Sequence, residues 1–266
     1  MVEKQTEFSK KFEIFKALIQ HSRSLVVLTG AGVSTLSGIP DFRSSQGVSA
    51  TRWNGYRVED ILSISLFRKD PSLFYAWARE VWYQLDSYQP NSVHHMLAIL
   101  EEKGYIQGLF TQNIDMLHTK AGSKKCYELH GSALHHHCTF CNSYYTYAQI
   151  QPIVMAGEVP LCTQCNHVIK PDIVLYGENL DPLILSRSYE MFRHTDLCLV
   201  LGSSLVVQPA ASLPAYALHN GAPIVVANAQ KTSYDGSATV HFSDLKQLSE
   251  AMLVWLETLK PRNSRL

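Results

Sequence analysis

The stretch from residue 25 to 44, LVVLTGAGVSTLSGIPDFRS, limits what this chain can fold into more than any other. Leu25, Val26, Val27 and Leu28 form an uninterrupted apolar run of strand length with β-branched residues at its centre, as expected of a parallel strand covered on both faces. Gly30 ends it. Gly30, Ala31 and Gly32 let the backbone turn sharply and approach a ligand, and Ser34 or Thr35 is placed to begin a short helix whose free N–H groups favour phosphate. A dinucleotide fingerprint would set a third glycine where Thr35 stands and an acidic residue about twenty positions further on. Neither is present. The glycines lead instead into a rigid turn from Gly38 to Ser44 that carries an acid, a ring and a guanidinium in succession, Asp41, Phe42 and Arg43. A dehydrogenase does not need those groups, whereas a site that grips and cleaves the nicotinamide end of NAD can use all three.

The rest of the chain alternates in the same manner. Phe8, Phe12, Phe15 and Ile19 make one stripe of an amphipathic helix over 5–20. Residues 45–57 mix Gly, Ser and polar side chains with Trp53 and Tyr56, which predicts a mobile loop that can still pack. Two helices follow; Asp70 and Pro71 are an N-cap and first-turn pair for the second, which carries Phe74, Trp77, Val81 and Trp82 inward to about Asp86. A helix near 91–103 feeds a strand at 105–110, and 126–129 reads as another short strand. After an irregular stretch at 132–170, strands are expected at 173–176, 197–201, 223–227 and 238–242, with helices near 182–194 and 209–219 and a closing helix to about Leu259. This is the order of a doubly wound, Rossmann-like α/β domain with a parallel sheet and two insertions. Residues 1–44, 89–131 and 171–266 are expected to form the NAD-binding domain, 45–88 a helical module with a cofactor-binding loop, and 132–170 a zinc-binding module.

At 266 residues, 46% apolar and 17% charged, the chain can bury one large core and a small satellite. Its 23 basic and 23 acidic side chains balance, so composition gives no electrostatic argument for nucleic acid or a membrane. The N-terminus lacks the apolar core of a signal peptide, and no apolar run approaches about eighteen residues. A cytoplasmic monomer is expected. The six cysteines agree, since four fall into two C-x-x-C pairs while Cys126 and Cys198 sit alone in apolar runs.

Those pairs, Cys138 with Cys141 and Cys162 with Cys165, are separated by twenty residues, a spacing that brings two zinc knuckles into one tetrahedron. Redox pairs are the alternative, but neither follows the strand-to-helix context of a thioredoxin-type motif. Four sulfur ligands leave no open position, so the ion is expected to be structural, and His135, His136 and His137 are read as solvent-facing residues of the ribbon. His130 ends a strand, precedes a glycine and shares the ligand edge of the sheet with Gln112, Asn113 and Asp115; an imidazole there suits removal of a hydroxyl proton at neutral pH. Asn113 and Asp115 compete with a helix-capping role. Gly202, Ser203 and Ser204 repeat the small-residue logic of the first loop, and Asn228 either meets a ribose or starts a turn.

Taken together, GAGVSTLSGIPDFRS, TQNID, ELHG, the four cysteines, KPDIVLYGE, GSSLVVQP and VVAN resemble, in order, the landmarks of the sirtuins, NAD-dependent protein deacylases, in a compact bacterial or archaeal form. The resemblance spans about residues 20–245. It implies NAD held by Gly30, Ala31, Gly32, Thr35, Asp41, Phe42, Arg43, Gln112, Gly202, Ser203, Ser204 and Asn228, with Asn113, Ile114 and Asp115 around the nicotinamide and His130 as catalytic base. It further implies one structural zinc ion and an acyl-lysine peptide added as a strand along Val174, Leu175, Tyr176, Gly177 and Glu178. The last adenine contact belongs near 240–242, where the match is poor. The implied reaction begins as the acyl oxygen displaces nicotinamide; a ribose hydroxyl then attacks the ADP-ribosyl imidate, and water completes the release of lysine and O-acetyl-ADP-ribose. A mono-ADP-ribosyltransferase or a longer-chain deacylase is the rival on the same scaffold. Members that remove succinyl groups carry a Tyr and, three residues on, an Arg; here Tyr75 is kept, Ala78 takes the Arg position, and Arg79 is turned by about 100°. Acetyl is therefore the expected acyl group.

Overall fold

The computed structural model describes residues 2–42, 47–50 and 52–262. The apolar run at its start becomes the strand Leu25–Thr29, buried at every position. It lies in a parallel six-stranded sheet ordered Val240–Phe242, Ile224–Ala227, Leu197–Leu201, Leu25–Thr29, Ile106–Thr111, Cys126–Glu128. Side chains of a strand alternate between faces, so both faces must be covered. Leu25 and Val27 pack with Phe15, Ile19, Leu97, Leu248 and Met252 on one face. Val26 and Leu28 pack on the other with Phe192, Leu213 and Ala217. The helices Val2–His21, Ser92–Glu102 and Leu245–Thr258 thus cover one face, and Pro182–His194 and Leu213–His219 the other. Phe8 and Phe15 meet Phe242 edge-on at 5.7 and 5.8 Å, which seals the sheet edge beneath the first helix.

The strand order reverses between Leu25–Thr29 and Leu197–Leu201, and the crevice beyond their carboxyl ends is the ligand-binding position of such a sheet. Residues 58–85 and 133–175 contribute to a second core, in which Phe74, Tyr75 and Trp77 of the helix Pro71–Val81 pack with Ile150, Val154 and Ile169. The cysteine-bearing ribbon has its own sheet, with Gly131–Cys138 central between Tyr144–Thr146 and Ile169–Ile173.

Several local expectations change. The strand expected at 173–176 is instead Ile169–Ile173; it sits at the edge of the small sheet, where the missing N–H of Pro171 is tolerated. The turn after Thr29 is a 3-10 helix, Ala31–Ser37, which starts before Ser34. The helix with Phe74 and Trp77 stops at Val81, not Asp86. His136 does not face solvent: it is fully buried, with Nε2 2.8 Å from the Tyr83 hydroxyl, because strand alternation turns it inward while His135 stays exposed. The loop expected over 45–57 falls partly outside the described residues; within them Arg52–Trp53 pairs with Tyr56–Arg57 as a short hairpin. Among the described residues no helix is long and apolar enough to cross a membrane.

Candidate active site

Beyond the strand ends, the ladder runs one residue further. Gly30 N–H donates to Leu201 O, Gly202 N–H to Ala227 O and Gln112 N–H to Thr29 O, at 2.8–3.0 Å. The two glycine loops then cross backbone to backbone, with Gly32 N–H donating to Gly202 O at 2.8 Å. A Cβ on Gly30 would lie 2.8 Å from Gly202 O, and one on Gly32 2.8 Å from Gly202 Cα. Only residues without a side chain permit that crossing.

A cleft of about 840 Å³ opens above it. Gly30, Ala31, Gly32, Thr35, Asp41, Phe42, Gln112, Asn113, Ile114, Asp115, His130, Gly202, Ser203, Ser204 and Asn228 all line it, with Val174 to Glu178 on the opposite wall. Arg43 lies outside the described residues. The segment 174–178 is a turn, in which Leu175 N–H donates to the Glu178 carboxylate at 2.8 Å and Glu178 N–H to Leu175 O at 2.9 Å. Tyr176 bridges to Leu62 and Ile64 through its own N–H and C=O.

Hydrogen bonds fix the polar end. Gln112 Nε2 donates to Ser203 Oγ at 2.8 Å, tying the two loops together. Asn113 Nδ2 donates to Gly30 O at 3.1 Å and Ser34 Oγ at 3.2 Å; with its hydrogens engaged, the side chain offers a ligand its carbonyl oxygen. Asp115 accepts from Ser34 Oγ at 2.6 Å and from Leu117 N–H at 3.0 Å at the start of the helix Leu117–Lys120, whose N-cap is Met116, while also lining the cleft. Burial raises the Asp115 carboxyl above its ordinary range, opposed by those two donors. His130 Nδ1 lies 2.9 Å from the Gln112 carbonyl, which only accepts, so Nδ1 carries the proton and Nε2 is the free base. Burial lowers its pKa and keeps the ring neutral, while the same carbonyl pulls the other way.

Behind this wall sits a second buried pair. His118 Nε2 is 3.0 Å from Thr29 Oγ1, His94 Nδ1 accepts from Asn91 N–H at 3.2 Å, and the rings are 4.7 Å apart. Burial lowers His94 to about 4 and His118 well below its ordinary value. Both stay neutral when folded but take up protons near pH 6.5 when unfolded, so their contribution is whole above that value and is lost as pH falls toward 4. Through His94 alone, lowering pH from 7 to 5 is expected to remove about 2 kcal/mol. Chemical melts at the two pH values check this: His94→Asn, whose amide oxygen can replace Nδ1, should flatten the difference by about that amount, and an unchanged pH dependence would refute the assignment.

The four cysteines converge. Their sulfur atoms all lie within 4.8 Å of one another, and Phe140 N–H and Gln164 N–H donate to Cys138 and Cys162 sulfurs at 3.4 Å, the backbone arrangement of two knuckles. A tetrahedron of four thiolates at about 2.3 Å from a zinc ion fits such a cluster. The donor set is that of a closed metal site.

A model of the Sir2 family matches residues 30–209. The chain belongs to the Sir2 family. Its Sir2-family relatives include the NAD-dependent protein deacetylase of Thermotoga maritima, 41% identical over 88% of this chain and 93% of that one. The NAD-dependent protein deacylase 2 of Archaeoglobus fulgidus is 40% identical over 84% and 87%. Among solved structures, a Sir2 variant with a deacetylated p53 peptide and 3′-O-acetyl ADP-ribose superposes with a TM-score of 0.86 at 38% identity, covering 93% of this chain and 98% of its own. A Sir2 complex with p53 peptide and NAD+ gives 0.82 at 39% identity, covering 93% and 98%.

Three features of this Sir2-family cleft escaped the sequence reading. Ser34 holds both Asp115 and Asn113, a contact across strands that no local pattern announces. Near the region expected at 240–242, Val240 and Phe242 point into the core, and the cleft touches 243–246 at the start of the last helix instead. An apolar lobe is lined by Leu62, Trp77, Val81, Trp82 and Leu85, of which helical spacing marked Trp77, Val81 and Trp82 only as inward-facing. Tyr75 is absent from the lining; it is buried with its hydroxyl donating to Ile169 O at 2.5 Å, and Ala78 is buried beside it.

Proposed function

We propose that this protein is an NAD-dependent protein lysine deacetylase that releases nicotinamide, deacetylated lysine and O-acetyl-ADP-ribose. The observation that carries the reading is His130: its Nδ1–H is held by Gln112 O, which leaves Nε2 basic in the cleft that also holds the glycine loops and the turn at 174–178. The names of the relatives support it. NAD is the co-substrate. Its phosphates and riboses would meet Gly30, Ala31, Gly32, Thr35, Gly202, Ser203, Ser204, Gln112 and Asn228, and Asp41 and Arg43 would complete the grip. Asn113, Ile114 and Asp115 would position the nicotinamide amide and a water. Phe42, whose ring is 6.5 Å from that of Tyr176, would shield the cation-like ribose carbon from solvent. His130 Nε2 would take the proton of the ribose hydroxyl after nicotinamide has left. Val174, Leu175, Tyr176, Gly177 and Glu178 would receive the substrate strand, and zinc bound by Cys138, Cys141, Cys162 and Cys165 would hold the ribbon.

Incubation with NAD and an acetyl-lysine peptide should give nicotinamide and deacetylated peptide in equal amounts. Nicotinamide without deacetylated peptide would move the reading to an ADP-ribosyltransferase or glycohydrolase. The apolar part of the cleft supports a second reading, removal of longer unbranched acyl chains, because Leu62, Trp77, Val81, Trp82 and Leu85 both line the cleft and pack in one apolar cluster. On matched peptides, acetyl and butyryl groups should both exceed succinyl in kcat/KM by at least about tenfold, the equivalent of roughly 1.4 kcal/mol for a carboxylate set among apolar groups without a partner. Succinyl turnover equal to acetyl would overturn this account of the lobe.

A further inference from the structure

A second groove, of about 480 Å³, lies against the first. Ile173, Val174, Gly177 and Glu178 face both, so the turn at 174–178 is the wall between them. Two of the charges in the groove form an ion pair, and a third is hydrogen-bonded to a histidine. Lys170 Nζ pairs with Glu178 at 2.9 Å and also donates to Ile173 O at 2.7 Å, which braces the wall from behind. The Asp172 carboxylate lies 2.7 and 2.8 Å from His137 Nδ1. Arg68, in the last turn of the helix Ile64–Lys69, also lines the groove, is exposed, and makes no ion pair or hydrogen bond among the described residues. The groove therefore presents one guanidinium that no carboxylate pairs among the described residues, at the back of the segment expected to take substrate.

We propose that this groove is a specificity subsite in which Arg68 recognises an acidic side chain flanking the acyl-lysine of the substrate. The proposal rests on the deacetylase reading. Acylation removes the charge of the target lysine, so charge discrimination falls to its neighbours, and a planar guanidinium suits a carboxylate through two parallel hydrogen bonds. Asp172, hydrogen-bonded to His137 Nδ1, is the opposing charge of the groove against which Arg68 must act.

The test is a charge scan by binding. Fluorescent acetyl-lysine peptides with Ala at all flanking positions receive Asp or Lys singly at each of the three positions on either side. Their dissociation constants are measured on the full chain and on Arg68→Ala and Arg68→Glu, with folding checked by circular dichroism. At one or two positions Asp should bind about fivefold tighter than Lys, the size of one well-placed surface ion pair. Arg68→Ala should erase that ratio, Arg68→Glu should invert it, and added salt should shrink it. The all-Ala peptide should bind all three proteins alike. A ratio that is the same in the native chain and in Arg68→Glu, or a native preference for Lys, would overturn the proposal. Turnover of the all-Ala peptide with NAD is scored in parallel; its failure counts against the deacetylase reading, while the binding ratios still judge the groove.

Discussion

His130→Ala should lower kcat for deacetylation by about 10²–10⁴-fold, the range supplied by one general base, and should leave NAD binding and part of the exchange of labelled nicotinamide into NAD intact. The reason lies in the order of events. On the proposed mechanism, departure of nicotinamide needs a positioned acyl oxygen and a shielded ribose carbon, roles proposed for Phe42, Asn113 and Asp115, which line the cleft. Proton removal by Nε2 comes afterwards. The ring is half of a fixed arrangement, since Gln112 both holds Nδ1 through its carbonyl and reaches Ser203 through its side chain. His130→Gln, which preserves bulk but not basicity, should fail in the same manner. Steady-state deacetylation beside the exchange assay separates the stages, and equal loss of both activities in a folded variant would remove His130 from its place after nicotinamide cleavage.

Stripping the metal should have the larger effect on structure. Binding of zinc to a four-cysteine site contributes about 10–16 kcal/mol to the folding of its module, as much as the whole stability of an ordinary domain, about 5–15 kcal/mol. No disulfide among the described residues replaces it. Chelation or Cys162→Ala should unfold the ribbon, and the loss should spread, because Cys138 and Cys162 pack in the core that also holds Trp77 in the wall of the cleft. The protein should carry about one zinc per chain, and activity should fall together with the ribbon's protection from proteolysis. Full activity after quantitative removal of the metal, with the fold intact, would contradict a structural role.

How far such features are legible before the structure depends on whether they are local. The strand Leu197–Leu201 and the helix Pro182–His194 coincide with their sequence readings, because an all-apolar run and a Pro start with a capping Asp181 each carry their own signal. The loops after Thr29, Thr111 and Leu201 were legible for the same reason: small and polar residues follow directly on buried strands. What was hidden is relational. The strand expected at 173–176 lies instead at Ile169–Ile173, a shift that depends on its place at the edge of the small sheet. His136 reads as one of three surface histidines until Tyr83, from the other insertion, covers it. Trp77 and Val81 read as core residues, and the cavity they face becomes visible only once the helix is docked. Ser34 is joined to Asp115 by the pairing of Leu25–Thr29 with Ile106–Thr111, a register no single segment contains.

The core shared by the two insertions bears on how such a protein can be recombined with its relatives. Phe74 and Trp77 come from one excursion of the chain, and Ile150 and Ile169 from another more than sixty positions later, yet they bury each other's surface. Exchanging either excursion alone would set an unmatched apolar face against a foreign one. Crossovers that retain a working protein should therefore come in linked pairs, so that the apolar lining of the cleft and the four clustered thiols are inherited as one unit.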